Sequence, residues 1–462
     1  MATGPDHQGA LIALHRFGLG ARGGSAGDAA SAASDPRGFV KAELARPQAS
    51  LLQEPGLKSA RDNLKSLFDF QAALQRSRQV KPGEAPQPEP DNAFIGATYR
   101  AETLARFQRQ FTAESGFVER LVAFWSNHFC VSVAKDQFVR VTAGAFEREA
   151  IRPHVFGRFA DMLKAVEQHP VMLHYLDNAQ SIGPNSRAGR NNRRGLNENL
   201  AREILELHTL GVDGGYTQAD VTSLARIITG WTFAGRQGQL GEPGTFVFNA
   251  NAHEPGAHEA LGKTYAEDAV RQGESALDDI ARHPSTAKFI ARKFARHFVA
   301  DDPPPALVQR LADVFRKTDG DLKALALALL ESDEAWSVPL AKMRTPQDFI
   351  MAATRLLGRL PENPGPLNGG LQQLGQLVWQ PPGPNGFPDS VAAWASPEGM
   401  KLRLDLASQF ARRTANPPNP NDLVDIAFGP AASAETREAV KRAESKQQAL
   451  ALLLMSPEFQ RR

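Results

Sequence analysis

The apolar residues of this chain recur mostly at three- and four-residue intervals, the period of one buried face of an α-helix. Asp35 and Pro36 make a helix start before FVKAELA, and residues 57 to 79 read as a charged helix. The period strengthens from Ala97, through ATYRAETLARFQRQF and GFVERLVAFWSNHF. Further helices are expected over Gln137 to Ile151, Phe156 to Gln168, residues 266 to 332, and Pro346 to Leu357, and again toward the C-terminus. Five segments interrupt the pattern. GGSAGDAASAASD is expected to be a loop. Pro/Gly-rich excursions are expected near 80–92, 181–196 and 359–390, the last holding PENPGPLNGG and WQPPGPNGFPD. Thr245 to Phe248 alternates like a strand, so a small β-hairpin is expected within residues 245–263. The expected fold is all-α: one large multi-helical unit over residues 1–462, with that single hairpin.

The most legible stretch is Asn197 to Trp231, NENLAREILELHTLGVDGGYTQADVTSLARIITGW. A helix from about Glu198 to Thr209 is broken by Gly211, Gly214 and Gly215. Thr217 then caps a second helix, with Asp220 in the reciprocal position of a capping box. At about 100° per residue, Asn199, Glu203 and Glu206 lie close together and Arg202 flanks them. Leu200, Ala201, Ile204, Leu205 and Leu207 take most of the remaining surface. A stripe this narrow is either a buried ion pair, Arg202 with Glu206, or the wall of a polar cavity. On the same wheel His208 falls on the opposite side from Glu206, outside that cavity.

Other segments offer partners. Val118, Leu121, Trp125 and His128 share a helix face, so His128 points where core residues point, as a hydrogen-bonded core residue or as a base facing a cavity. In HPVMLHYLDN, His174, Asp177 and Asn178 stand at i, i+3 and i+4. Arg187, Arg190, Arg193 and Arg194 crowd the loop before Asn197, either solvated or collecting anions as a lid. His253 and His258 flank Glu254, but Pro255 and Gly256 forbid the helical geometry of a zinc-protease motif, leaving loop-borne metal ligation as the alternative. Arg292, Lys293 and Arg296 are expected to form a solvated face.

Composition narrows the classes. The chain has 462 residues with 53 basic against 51 acidic side chains. A net charge of +2 gives no bulk drive toward nucleic acid or membrane surfaces. The one cysteine, Cys130, excludes an intrachain disulfide and a cysteine-rich metal cluster, and is expected to be a small buried hydrophobe rather than a nucleophile. No apolar run of ~18 residues predicts a membrane span. No basic and apolar leader opens the chain, so it reads as cytoplasmic as written, or as exported with its signal missing from the sequence. Phosphate-binding loops, dinucleotide glycine motifs, nucleophile elbows and the full calcium-loop pattern are not found.

LHRFGLGA, FWSNHF, MLHYLDN, NENLAREILELHTLGVDGGYTQADV, ITGWT, HPSTAKFIARKFARHFV, WQPPGPNGFPD and LLLMSPEFQRR occur in that order, from about Ala10 to Arg462. In them the chain resembles the bacterial family known as domain of unknown function 1800. The resemblance implies no reaction. It does imply frequent export and a co-encoded, sulfatase-like partner. From the residues themselves the expected function is an enzyme with a buried Glu/His/Asn/Arg site. That site would do acid–base or divalent-metal-assisted hydrolysis, and the resemblance implies that its substrate is an exported or cell-envelope one. Glu203, Glu206, His128 and His174 are the catalytic candidates. Asn199, Arg202, Asn178 and Trp231 are the substrate-binding candidates, and His128, His174, Glu206 and His253 the candidate metal ligands. The alternative is a non-catalytic binding or assembly protein working with a cell-envelope partner.

Overall fold

The computed structural model describes residues 5–23, 27–79, 88–191, 195–337, 339–414 and 417–462. Among these, twenty-four α-helices and four short strands are formed. The helices α1 to α5 are His7–Ile12, Gly27–Ser34, Pro36–Leu44, Ala60–Arg78 and Ala93–Thr112. Next come α6 Phe117–His128, α7 Gln137–Phe146, α8 Phe159–Glu167, α9 Pro170–Tyr175, α10 Asn199–Glu203 and α11 Gln218–Ile227. After the strands follow α12 Val270–Arg282, α13 Pro284–Phe298, α14 Pro305–Lys317, α15 Leu322–Glu331, α16 Glu334–Ser337, α17 Pro346–Leu356 and α18 Gly365–Gln373. Six further helices continue to Gln460.

Local chemistry sets the helix ends as the sequence implied. Asp35 accepts from Gly38 N–H at 2.9 Å at the start of α3. Thr217 and Asp220 form the expected reciprocal box at α11. Two expected loops are partly helical. GDAASAAS forms α2, because Ala32 and Ala33 find a core to pack against. GPLNGGLQQ forms α18, with proline in its first turn, where the missing N–H costs nothing. Residues 24–26 and 80–87 lie outside the described residues.

Among the described residues the strands form two antiparallel pairs rather than one. β1 (Trp231–Phe233) pairs antiparallel with β2 (Phe246–Phe248), and β3 (His258–Ala260) with β4 (Lys263–Tyr265). Leu261 and Gly262 join the second pair, both at positive φ, as a two-residue turn matched to strand twist demands. Trp231, expected near a binding site, is instead the buried first residue of β1, edge-on to Phe246.

Three helices lose their α-phase. The π-helical turns Ala13–Phe17, Glu147–Ile151 and Ile204–His208 follow α1, α7 and α10 directly. Their bonds span five residues, as from Gly18 N–H to Ala13 O and from Leu210 N–H to Leu205 O. Each turn carries fully buried ionisable groups: His15 and Arg16, Glu147, and His208. Such turns recur at functional sites. A single connected hydrophobic cluster runs from Ala10 to Phe459, with a smaller one under α4, α5 and α7. No described helix is long and apolar enough to cross a membrane.

Candidate functional site

The site is built on α6 and α13, which lie antiparallel with aromatic rings between them. Phe117 meets Phe298 with ring centres 5.5 Å apart, Phe124 meets Phe294 at 5.3 Å, and His128 meets Phe289 at 6.3 Å. On α13 the wheel puts Lys293 and His297 about 40° apart, at the edge of the apolar arc of Ile290 and Phe294. Both turn inward rather than to solvent.

Lys293 is the least expected group. Its Nζ donates to His128 Nδ1 at 2.9 Å. His128 Nε2 lies 3.0 Å from the carbonyl oxygen of His208, which can only accept. His128 is therefore the Nε2–H tautomer, neutral, with its Nδ1 lone pair facing the ammonium. Burial, then Lys293, hold its pKa well below the usual histidine range. Burial brings the Lys293 ammonium down to about 8. Asp389 is the negative charge near enough to oppose that shift. Cys130 stays a thiol: burial pushes it up to about 12, and its Sγ reaches the Pro384 carbonyl at 3.3 Å. The expectation of a buried, unreactive cysteine stands on that geometry.

A cavity of about 80 Å³ opens beside Cys130. One wall is α6, through Arg120, Ala123, Ser126 and Asn127; another is α17, through Asp348 and Met351. The third is the segment from Trp379 to Asp389, the WQPPGPNGFPD motif. Prolines leave this segment few backbone donors, so the end of α6 and the residues after it anchor it instead. Asn127 exchanges two bonds with Phe387, at 3.0 and 2.8 Å. Ser132 Oγ donates to Pro381 O at 2.9 Å, and Val133 N–H to Trp379 O at 2.8 Å. Gly386 sits at φ +80°, where a Cβ would come within 2.5 Å of Asn127 O. Only glycine fits that approach.

Charge is dense around the cavity. Glu147, fully buried, accepts from Arg106 at 3.0 Å, Ser126 at 3.0 Å and Trp379 Nε1 at 3.0 Å, and pairs with Arg152 at 3.0 Å. Burial alone would raise its pKa, but Arg106 and Arg152 outweigh it and lower it. Asp348 pairs with Arg120 at 2.9 Å and Arg462 at 3.1 Å. Those guanidiniums overcome burial and hold its carboxyl far below the ordinary range. Asp389 takes His297 Nδ1 at 2.9 Å and Lys342 Nζ at 3.1 Å.

The sequence candidates divide. His128 and Glu203 approach the same interior. His208 bridges them, bonded to Glu167 at 2.8 Å and within electrostatic reach of Glu203. Burial raises the half-exposed Glu203 carboxyl, and the neighbouring Glu206 adds to the rise. Glu206 itself reaches Tyr216 OH at 3.5 Å. His174 stands apart, bonded to Asp136 at 2.6 Å and stacked on Phe138. It joins no helical stripe, because α9 ends at Tyr175 and Asp177 turns to φ +59°. Asn178 and Asn199 hold backbone carbonyls, of Trp231 at 3.1 Å and Leu176 at 3.3 Å. Arg202 is 40% exposed and pairs with Glu198 and Gln218, not with Glu206. His253 bonds the Thr229 carbonyl, while Glu254 anchors the Arg-rich loop through Asn185. Arg187 and Arg190 edge a shallow surface hollow there, and Arg193 and Arg194 lie outside the described residues. Among the described residues no three His, Cys, Asp or Glu side chains are grouped to hold a metal ion, the set His128, His174, Glu206 and His253 included.

Two misplacements have one cause each. The π turn after Glu203 rotates each residue by less than the α-helical step, which swings His208 round toward the interior that the regular wheel denied it. Lys293 stands in sequence with the solvated Arg292 and Arg296, but His297 at i+4 marks its inward side, and it bonds His128. Asp348 follows Thr345 at capping-box spacing, so its sequence signal is that of an ordinary cap.

Fold and cavity together define a mainly helical protein with a charged, partly enclosed interior site. The chain belongs to the family described as a protein of unknown function (DUF1800), whose model matches residues 12–461. No curated protein and no solved structure matches it.

Proposed function

We propose that the protein is an enzyme performing general acid–base chemistry, a hydrolysis of an exported or cell-envelope substrate, where Lys293 meets His128 between α6 and α13, beside the cavity of the Trp379–Asp389 segment. The observation that carries this reading is Lys293. A lysine that served only to balance charge would face a carboxylate at contact distance. This one, half-buried, faces a neutral imidazole and titrates near the pH at which it would work. Its uncharged fraction takes a proton from the attacking water. His128 positions the amine, and the His208 carbonyl fixes the His128 tautomer. The ammonium so formed returns the proton to the leaving group, and half-exposed Glu203, its carboxyl raised by burial, is a nearby group to exchange protons with solvent. The protonated Cys130 thiol takes no nucleophilic role.

The test is turnover of chromogenic carboxylate, phosphate and glycoside esters by the wild-type chain and by Lys293→Met, which keeps the length and removes the proton carrier. Activity that rises with pH through about 8 and vanishes in the variant is expected. Turnover that survives Lys293→Met sinks the reading. Silence of the wild type across the panel turns the choice toward assembly with a cell-envelope partner such as a co-encoded sulfatase-like protein.

A further inference from the structure

We propose that the same cavity is a binding site for a small oxyanion, a carboxylate or phosphoryl group carried by the substrate. That the group belongs to a substrate rests on the enzymatic reading above; that the cavity takes an anion rests on its charges.

Four guanidiniums are buried behind and beside the cavity: Arg120, Arg344, Arg403 and Arg462, none more than 1% exposed. The side-chain carboxylates among them are Asp348 and Asp389. Asp348 is shared by Arg120 and Arg462, and Asp389 lies 3.6 Å from Arg462. Lys342 also reaches Asp389, but Asp301 at 2.9 Å offsets it. Among the described residues Arg344 pairs with no carboxylate: it donates to the Phe459 carbonyl and to His15. Arg403 has none either, and donates to Gln460 and to the Arg344 carbonyl. Across the cavity Arg106 and Arg152 are matched by Glu147 and Glu119. Among the described residues, side-chain cations here therefore exceed side-chain carboxylates by two. A main-chain carboxylate at Arg462 would still leave an excess of one.

An uncompensated buried cation is costly, and an anion in contact with it removes the cost. The strain is visible in the arginines themselves. Burial beside like charges brings Arg120 down to about 9, and burial chiefly brings Arg344 and Arg403 to about 10. Donor capacity is also left over: Arg120 Nε and Arg344 Nη1 are buried without a hydrogen-bond partner. Arg120 lines the cavity. Buried guanidinium donors of this kind recur where carboxylate or phosphate is recognised. The cavity's roughly 80 Å³ suits a carboxylate or phosphoryl head rather than a whole sugar or peptide. The partly exposed Ala123, Ser126 and Asn127 give it a way to solvent. Asp348 and Asp389 also line it, but each is already held by cations, so they set where the anion sits rather than exclude it.

Isothermal titration calorimetry of the full chain tests this, with inorganic phosphate in one arm and acetate in the other, chloride holding ionic strength constant. Saturable binding of at least one anion is expected, and the tighter arm identifies a phosphoryl or a carboxylate source. Ala123→Met fills the cavity without touching a charge and should weaken binding at least tenfold, while melting like wild type in chloride alone. Arg120→Lys keeps the charge beside Asp348 and deletes Nε; it should give the same loss, and serves if the larger side chain disturbs α6. No saturable binding of either anion overturns the proposal, as does binding that both variants retain in full. If anion binding holds while Lys293→Met leaves turnover unchanged, the enzymatic reading alone fails. If turnover depends on Lys293 and neither anion binds, this proposal alone fails.

Discussion

Replacing Asp348 by asparagine changes one charge and almost no volume, and it strips the paired carboxylate from Arg120 and Arg462. Both guanidiniums are essentially without direct solvent contact, so water from the small cavity replaces the lost partner only poorly. Breaking a buried pair in this way costs about 3–5 kcal/mol. The unfolding entropy of a chain of 462 residues, at about 2.1 cal/mol/K per residue, is about 1 kcal/mol/K. The melting temperature should therefore fall by about 3–5 °C in differential scanning calorimetry. The pH dependence follows from the direction of the shift. The Asp348 carboxyl titrates far lower in the folded chain than its unfolded value of about 3.9. Its contribution is thus fully present above that pH and is lost as pH falls below it. The gap between wild type and variant should stay level from about pH 8 to 5 and close only in stronger acid. Arg120→Met in the Asp348→Asn background should cost less than the sum of the two single changes, because it removes a cation already left bare. A variant that melts within about 1 °C of wild type would falsify the picture of a closed ionic core, since so small a change is what solvent-exposed pairs give.

Other outcomes follow from the same geometry. His15 and His128 are held neutral in the folded chain, His15 down to about 3, and both regain ordinary values on unfolding. The unfolded state then binds more protons below about pH 6.5, so stability should fall steadily from there toward acid; a urea midpoint unchanged between about pH 7.5 and 5 would contradict this. Gly386→Ala drives a Cβ against Asn127 O and should cost at least about 1–3 kcal/mol in urea unfolding, with weaker anion binding; a neutral result would mean the Trp379–Asp389 segment is free to move off α6. Arg202→Ala should shift the melting temperature by less than about 1 °C, because the side chain is 40% exposed and its pair with Glu198 lies at the surface; a larger loss would return Arg202 to the interior.

Much of the architecture could be read from the sequence because local rules decide it. Asp35, Thr217 and Pro346 start helices where capping and proline rules place them. His128 lies on the apolar face its spacing gave, buried and bonded. The site was less legible, since it is assembled from charges whose partners are remote in the chain. Nothing in ARKFARHFV states that Lys293 will meet a histidine 165 positions earlier. Nothing near Asp348 states that Arg120 and Arg462 will share it. Arg202 shows the opposite error: on a regular wheel it flanks Glu206, yet the neighbouring helix α11 supplies Gln218 and leaves its head in water. Periodicity reports which side of one helix is buried, and it carries no information about which other helix covers it.

Arg462 completes an ionic core begun by Arg120, and this has a consequence for synthesis. At about 5–20 residues per second a ribosome needs roughly 20–70 s to add the ~340 residues between them. For all of that interval Arg120, already made, lacks Arg462, and until Asp348 emerges it lacks any carboxylate partner from α17 as well. The nascent chain must therefore carry half-finished polar surfaces through most of its translation. It should depend on chaperone holding more heavily than a helical protein of local contacts would, and any pause late in the message would lengthen its most aggregation-prone state.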